Sequence, residues 1–309
     1  MTEARKGVLA VVLACLIWGG GPAYYRHLSQ VAAPEMLAHR TLWTLLIFGG
    51  VLLAQRRLGA VAGLLQGAQR GRVLLATLLI SANWFIFIWA VQSGHAVEAS
   101  LGYYIFPLVA VLIGFAAFGE RLALPQVLSV ALASLGVGLL TYGLGVAPLI
   151  ALSLAATFAS YSALKRGVSA PPIVSVTAEV AVMAPVALCY LAYAELGLAG
   201  PSAGWFGRDL SLSLWLPWTG LITGVPLMLF SYAARRVSMA TLGLVQFLNP
   251  TLQFLTAVLV FLEPISRWHL LAFGLIWLAL AIYSAASWRQ DKALRRASVS
   301  AGTSATAVK

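Results

Sequence analysis

Long apolar runs, separated by short polar, glycine-containing or proline-containing interruptions, occupy the chain from residue 7 to residue 288. A hydrocarbon core about 30 Å thick takes about 20 helical residues to cross. Ten runs fit that length: 7–25, 34–54, 72–92, 97–118, 124–143, 147–164, 172–193, 213–234, 239–261 and 268–288. They are continuous and rich in Leu and Ala, without the alternation of lipid-facing and lumen-facing positions that marks a membrane barrel, so the pattern predicts an all-α integral membrane protein. The first run continues into Trp18-Gly19-Gly20-Gly21-Pro22 with no small-residue cleavage site, and reads as a retained helix.

Composition agrees with the pattern. With 61% hydrophobic and 9% charged residues among 309, a water-soluble globule and a disordered chain are both excluded. The net charge of +11 would suit a nucleic-acid partner only if it formed a binding face. Instead sixteen of the twenty Lys and Arg fall in the tails and in the loops on one side of the ten runs, against Arg26, Arg208 and Arg267 on the other, with Arg40 inside a run. That asymmetry orients the helices with both termini in the cytoplasm, and it leaves the lipid bilayer, not nucleic acid, as the partner of the basic charge. Cys15 and Cys189 both lie in apolar runs and build neither a disulfide framework nor a metal site. Residues 1–6 read as a cytoplasmic tail, and residues 289–309, small and polar beyond Arg296, as a second, disordered one.

The chain repeats itself. Pro107 is followed thirteen residues later by Glu120, and Pro250 thirteen residues later by Glu263; each pair encloses one apolar run and precedes the last run of its half. Trp18 to Arg26 and Phe158 to Arg166 align at a constant offset, each ending in a basic residue. Two five-helix units, 7–143 and 147–288, follow. Five is odd, so the second unit enters the membrane from the opposite side. The two become inverted repeats around a central cavity, the geometry of carriers that open alternately to either face.

The residues also resemble a known family. Asn83-Trp84, Phe87-Ile88-Trp89-Ala90-Val91, His95 and Glu98-Ala99-Ser100-Leu101-Gly102-Tyr103, closing on Pro107-Leu108, resemble the RarD branch of the EamA transporters in the drug/metabolite transporter superfamily. So do Trp18-Gly19, Pro22 and Tyr24, then Glu35, His39-Arg40 and Trp43, and in the second half Val225-Pro226, Thr241-Leu242-Gly243, Gln246-Phe247 and Pro250-Thr251. The likeness runs from about residue 7 to 285, with departures at Pro264, where a basic residue is commoner, and at Phe106, where an Asn commonly precedes the proline. It implies a bacterial inner-membrane secondary transporter that exports a small organic metabolite or drug, amino-acid-like or amphenicol-like, by alternating access.

Ionisable groups at membrane depth cost about 3 kcal/mol or more and call for a partner or a wet cavity. Arg40 and His39 lie inside the second run and Glu179 inside the seventh, its repeat partner. Aligning the halves puts Glu179 opposite His39, so a charge pair of Glu179 with His39 and Arg40 is expected. It either locks two helices together or is a site where substrate or protons compete for Glu179. His39 and Trp43 share a helical face, and the resemblance places Trp18, Trp43, Trp84, Trp89, Tyr103, Tyr104 and Tyr161 on helices around the cavity, where rings accept a flat or cationic substrate. Gln246, Asn249 and Gln253 form a polar stripe on the ninth helix, and Asn83 adds an amide from the third. His95 and Glu98 are expected to cap the fourth helix, Glu120 and Glu263 to pair locally with Arg121 and Arg267, and Pro107, Pro185, Pro226 and Pro250 to interrupt their helices.

Rival classes are weaker. The sequence has no nucleotide-binding glycine loop, no HExxH and no GxSxG motif, and one deep carboxylate is poor equipment for a membrane-embedded enzyme. No cofactor and no metal are expected. Transport is then driven by a proton or other ion gradient, or by the substrate's own gradient. A channel-like facilitator would need a continuous polar pore, whereas the polar groups here gather into patches.

Overall fold

The computed structural model describes residues 3–118, 123–165, 167–200, 203–234, 236–237 and 245–306. Glu120, Arg121, Arg166, Thr241-Leu242-Gly243 and Lys309, which figure in the sequence reading, lie outside the described residues. All regular structure among the described residues is helical: α1 (Glu3–Gly19), α2 (Gly21–His27), α3 (Ala33–Ala54), α4 (Leu58–Gln66), α5 (Arg70–Gln92), α6 (Ala96–Phe118), α7 (Leu124–Leu144), α8 (Leu149–Lys165), α9 (Pro172–Glu195), α10 (Leu210–Trp215), α11 (Trp218–Ala234), α12 (Leu248–Leu255), extended by a π-helical turn (Thr256–Val260), and α13 (Arg267–Thr306). A helix stands in each of the ten apolar runs. Among the described residues, eight helices are by length and composition fit to cross a membrane; two, Leu149–Lys165 and Leu248–Val260, are shorter.

The punctuation follows the sequence. Prolines in the first turn start α2, α3, α7 and α9, where a missing N–H costs nothing. Asp209 caps α10 by accepting from Leu212 N at 2.8 Å, and Gly145, in the left-handed region at φ 72°, ends α7. Gly20 breaks the first span into α1 and α2. Contrary to the expectation from sequence, Pro107, Pro185 and Pro226 do not interrupt their helices; α6, α9 and α11 run through them, because in a bundle neighbouring groups can satisfy the freed carbonyls. Pro250 lies in the first turns of α12. The last helix runs on to Thr306, through the segment read as a disordered tail.

α3 packs on α9 and α11, α1 on α11 and α12, α8 on α5 and α6, α5 on α9, α6 on α12, and α7 on α13. Each end of the bundle is stitched by its own loop contacts. At the end where α1 starts, the basic end, Arg236 Nε donates to Glu3 at 2.9 Å and Arg72 Nη1 to the Gly167 carbonyl at 3.0 Å. At the opposite end Arg26 donates to the Val91 and Gln92 carbonyls, and Gln92 to those of Leu28 and Val31.

Small residues set the closest approaches. A Cβ on Gly102 would stand 2.8 Å from the Ala151 carbonyl oxygen and 2.8 Å from Leu154 Cβ, so α6 and α8 touch through the missing side chain. Gly102→Ala is expected to lose about 1–3 kcal/mol of stability, read as a lowered melting temperature of the purified protein; wild-type melting would show that the two helices are not in contact there.

Candidate functional site

The first turns of α3 carry one stripe. Glu35 is fully buried (0% exposed) and accepts from Gly204 N and Trp205 N, both at 2.9 Å. One turn on, His39 Nε2 is 4.0 Å from Glu35 Oε1, and its ring lies 5.3 Å from that of Phe206. Trp43, a further turn along, is 6.3 Å from the same Phe206. The shared face of His39 and Trp43 is therefore turned to the loop before α10, whose backbone Glu35 holds.

Arg40 lies on the adjacent face. It is 8% exposed; Nη1 donates to the Tyr25 hydroxyl at 2.8 Å, Cζ is 4.1 Å from the Trp84 ring centre, and buried Nε has no acceptor among the described residues. From Tyr25 a row of rings leads across the bundle: Tyr25 to Phe87 at 6.0 Å, Phe87 to Tyr103 at 5.6 Å, Tyr103 to Phe158 at 5.9 Å, Phe158 to Tyr161 at 6.0 Å. Asn83 fixes the middle of the row. Its amide donates to the Leu154 carbonyl at 3.0 Å and Thr157 Oγ1 at 2.9 Å, and its carbonyl accepts from the Tyr103 hydroxyl at 3.1 Å, tying α5, α6 and α8 together.

The row ends at Glu179, 2% exposed. Its carboxylate accepts from Lys165 Nζ at 2.6 Å, the Tyr161 hydroxyl at 3.1 Å and Ser175 Oγ at 3.2 Å, and Lys165 also donates to Ser175. The buried pair is thus Glu179 with Lys165, not with His39 or Arg40 as expected from the repeat alignment. The reason is depth. Arg40 lies about two turns, ~10 Å, inside α3 from the opposite end, and Glu179 about as far inside α9 from the basic end. Equivalent positions in antiparallel units fall at mirrored depths, and only residues near mid-helix would meet. Lys165, read from sequence as a loop charge, reaches in along its flexible stem.

Other sequence candidates are placed apart from this row. Trp18 packs against Phe230 at 6.2 Å. Asn249 accepts from Gln253 at 3.0 Å within α12, with Gln246 half-buried one turn before. Trp89, expected to line the cavity, is 44% exposed and stacked on His95; the face of α5 that meets the bundle carries Asn83, Phe87 and Ala90. The cap of α6 is neither His95 nor Glu98. It is Glu263, whose two oxygens accept from Ala96 N at 2.9 Å and Val97 N at 2.8 Å, replacing the expected local pairing with Arg267. That carboxylate bridges the halves, a role that sequence separation hid. An apolar cavity of about 640 Å³ opens between α6, α12 and α13, lined by Tyr104, Thr251 and Trp277 among others, and is separate from Arg40 and Glu179. No group of three or more His, Cys, Asp or Glu able to hold a metal forms among the described residues.

What the arrangement offers chemically is a buried cation at one depth, a buried ion pair at the other, and aromatic surface between them. Comparisons with known proteins agree with a membrane transporter. Residues 5–142 match the EamA-like transporter family. An uncharacterized transporter of Pseudomonas aeruginosa is 40% identical over 94% of this chain and 97% of its own length. Protein RarD of Escherichia coli is 37% identical, covering 91% of this chain and 94% of the relative. A crystal structure 22% identical in sequence, covering 93% of this chain and 99% of its own, superposes with a TM-score of 0.59, showing the same fold. The chain is a multi-pass membrane protein that belongs to the EamA transporter family, in its RarD group.

Proposed function

We propose that the protein is a secondary transporter of the inner membrane, with both termini in the cytoplasm, that exports a small organic molecule by alternating access of two inverted units, 7–143 and 147–288. The observation that carries this reading is the exchange symmetry of the helix packing. Swapping α1 with α8, α3 with α9, α5 with α11, α6 with α12 and α7 with α13 turns the α1–α11 contact into α8–α5, α6–α8 into α12–α1, and α3–α11 into α9–α5; the contacts α3–α9, α6–α12 and α7–α13 map onto themselves. A twofold relation between the units accounts for that pattern, and the odd number of spans in each unit supports an axis within the membrane plane, about which two like units can rock.

Glu179 is the coupling group in this reading. It is the deep carboxylate held by a lysine and a phenol whose hydrogen bonds a proton would displace. The test is reconstitution into liposomes with radiolabelled chloramphenicol and radiolabelled phenylalanine as probes. A carrier gives saturable flux and acceleration by unlabelled probe on the far side; flux of either probe with neither property assigns a channel instead. With Glu179→Gln, gradient-driven accumulation is expected to fall at least about tenfold while exchange of labelled for unlabelled probe persists. Unimpaired accumulation, independent of pH, removes Glu179 from coupling.

A further inference from the structure

Arg40 is a permanently charged group in a place where charge is costly. An arginine at membrane depth is ordinarily neutralised by a carboxylate, since an unpaired buried ion costs several kcal/mol. Among the described residues Arg40 has no carboxylate within 4.0 Å. The buried carboxylates of α3 and α9 are committed elsewhere: both oxygens of Glu35 hold the backbone of Gly204 and Trp205, and those of Glu179, at the far end of the ring row, hold Lys165, Tyr161 and Ser175. The Trp84 ring and the Tyr25 hydroxyl hold the guanidinium in position without cancelling its charge. One N–H donor is left over on the chain side of the group, where Nε is buried with no acceptor among the described residues.

From this geometry we propose that Arg40 receives the carboxylate of a monoanionic organic substrate whose ring or apolar body lies along Trp84, Tyr103 and Phe158. The proposal rests on the carrier reading and narrows its substrate class. A carboxylate fits because two parallel N–H groups on one edge of a guanidinium match its two oxygens. A monoanion fits because, among the described residues, no second cation accompanies Arg40: a dianionic phosphate would need one at the same depth, and Lys165 is neutralised by Glu179 at the far end of the ring row. An aromatic or apolar body fits because Trp84, Tyr103 and Phe158 are each partly exposed and belong to three different helices, α5, α6 and α8. A neutral amphenicol, by contrast, would leave the guanidinium uncompensated.

The test uses full-length protein in lipid nanodiscs, with acetate, benzoate, phenylacetate and indole-3-acetate as probes, each against its amide, in chloride-free buffer. Binding is read by thermal shift and by quenching of tryptophan emission, with Trp84→Phe identifying the part due to Trp84. The expected result is stabilisation by the ring-bearing acids and not by their amides. Arg40→Lys, which keeps the charge and loses the flat edge, should weaken binding about tenfold or more, and Arg40→Gln should abolish it. Should Arg40→Gln fail to fold, the acid-over-amide preference of the wild type and the Arg40→Lys loss still decide. Acids and amides that bind alike, acids that bind Arg40→Lys and wild type alike, or no acid binding up to millimolar concentration would each overturn the proposal. The carrier reading is tested separately by exchange of radiolabelled phenylacetate across liposomes: bound but unexchanged acid keeps the anion site and removes the carrier, whereas carrier-type exchange of a neutral amide, unchanged by Arg40→Lys, does the reverse.

Discussion

Replacing Lys165 by methionine is expected to destabilise the protein by about 3–5 kcal/mol, because it strands the Glu179 carboxylate, 2% exposed, without its cation. The Tyr161 and Ser175 hydroxyls remain as donors, yet neither carries charge. The half-exposed alternative is closed to Glu179, which sits about two turns inside α9, whereas Lys165 sits at the end of α8, its side chain 21% exposed. Removing both charges, as Lys165→Met with Glu179→Met, is expected to recover most of the loss, since a buried pair contributes little against well-packed apolar side chains of similar size. Melting of the two purified variants against wild type measures both effects. A single variant as stable as wild type would mean that the pair does not form in the membrane. Equal losses in the single and double variants would assign the effect to packing of the lysine stem.

The second large effect is expected at the opposite end. Glu263→Ala removes one carboxylate that caps two successive amides, Ala96 N and Val97 N, across 167 and 166 residues of chain. Two charge-assisted hydrogen bonds are lost and two helix N-terminal donors are left open, a cost of about 3 kcal/mol. The fold already spends something on this contact: Leu262, just before it, is held at φ 55°, in the left-handed region that a leucine rarely occupies. Hydrogen exchange at Ala96 and Val97 should accelerate by about a hundredfold, the rate equivalent of that energy, with amides in mid-α3 unaffected. Protection at Ala96 and Val97 unchanged from wild type would show that water or another residue caps α6. Glu35, gripping Gly204 N and Trp205 N, is built the same way, and Glu35→Ala should release the 203–206 loop in the same assay.

These two sites show where sequence reasoning reached and where it stopped. Glu263 announced itself through the repeat with Glu120, because a carboxylate at a fixed distance from a proline is a local regularity. Its partners did not, because the amides of Ala96 and Val97 carry no side-chain signal and lie in the other half. Trp89 is expected around the cavity and Phe87, two residues before it on the same helix, is not singled out for it; Trp89 faces out and stacks on His95, and Phe87 joins the ring row. The direction of a face is not encoded when apolar residues surround the helix, since lipid and protein interior ask for the same side chains. The family, by contrast, was legible from short stretches such as His39-Arg40 and Glu98 to Tyr103, and the relatives bear it out.

By itself the chain determined that it is helical, that it belongs in a bilayer and which apolar runs carry helices, because a thick apolar slab with no water dictates long internally bonded segments whatever their neighbours. Tertiary structure alone decided which charges meet. The repeat sets Glu179 opposite His39, beside Arg40, but antiparallel packing puts them at opposite depths, so Glu179 finds a lysine from the preceding helix and Arg40, among the described residues, finds the Trp84 ring and the Tyr25 hydroxyl. Pairing of ions falls off over a few ångströms, and a distance of that size is fixed by how helices cross, not by the order of residues along them.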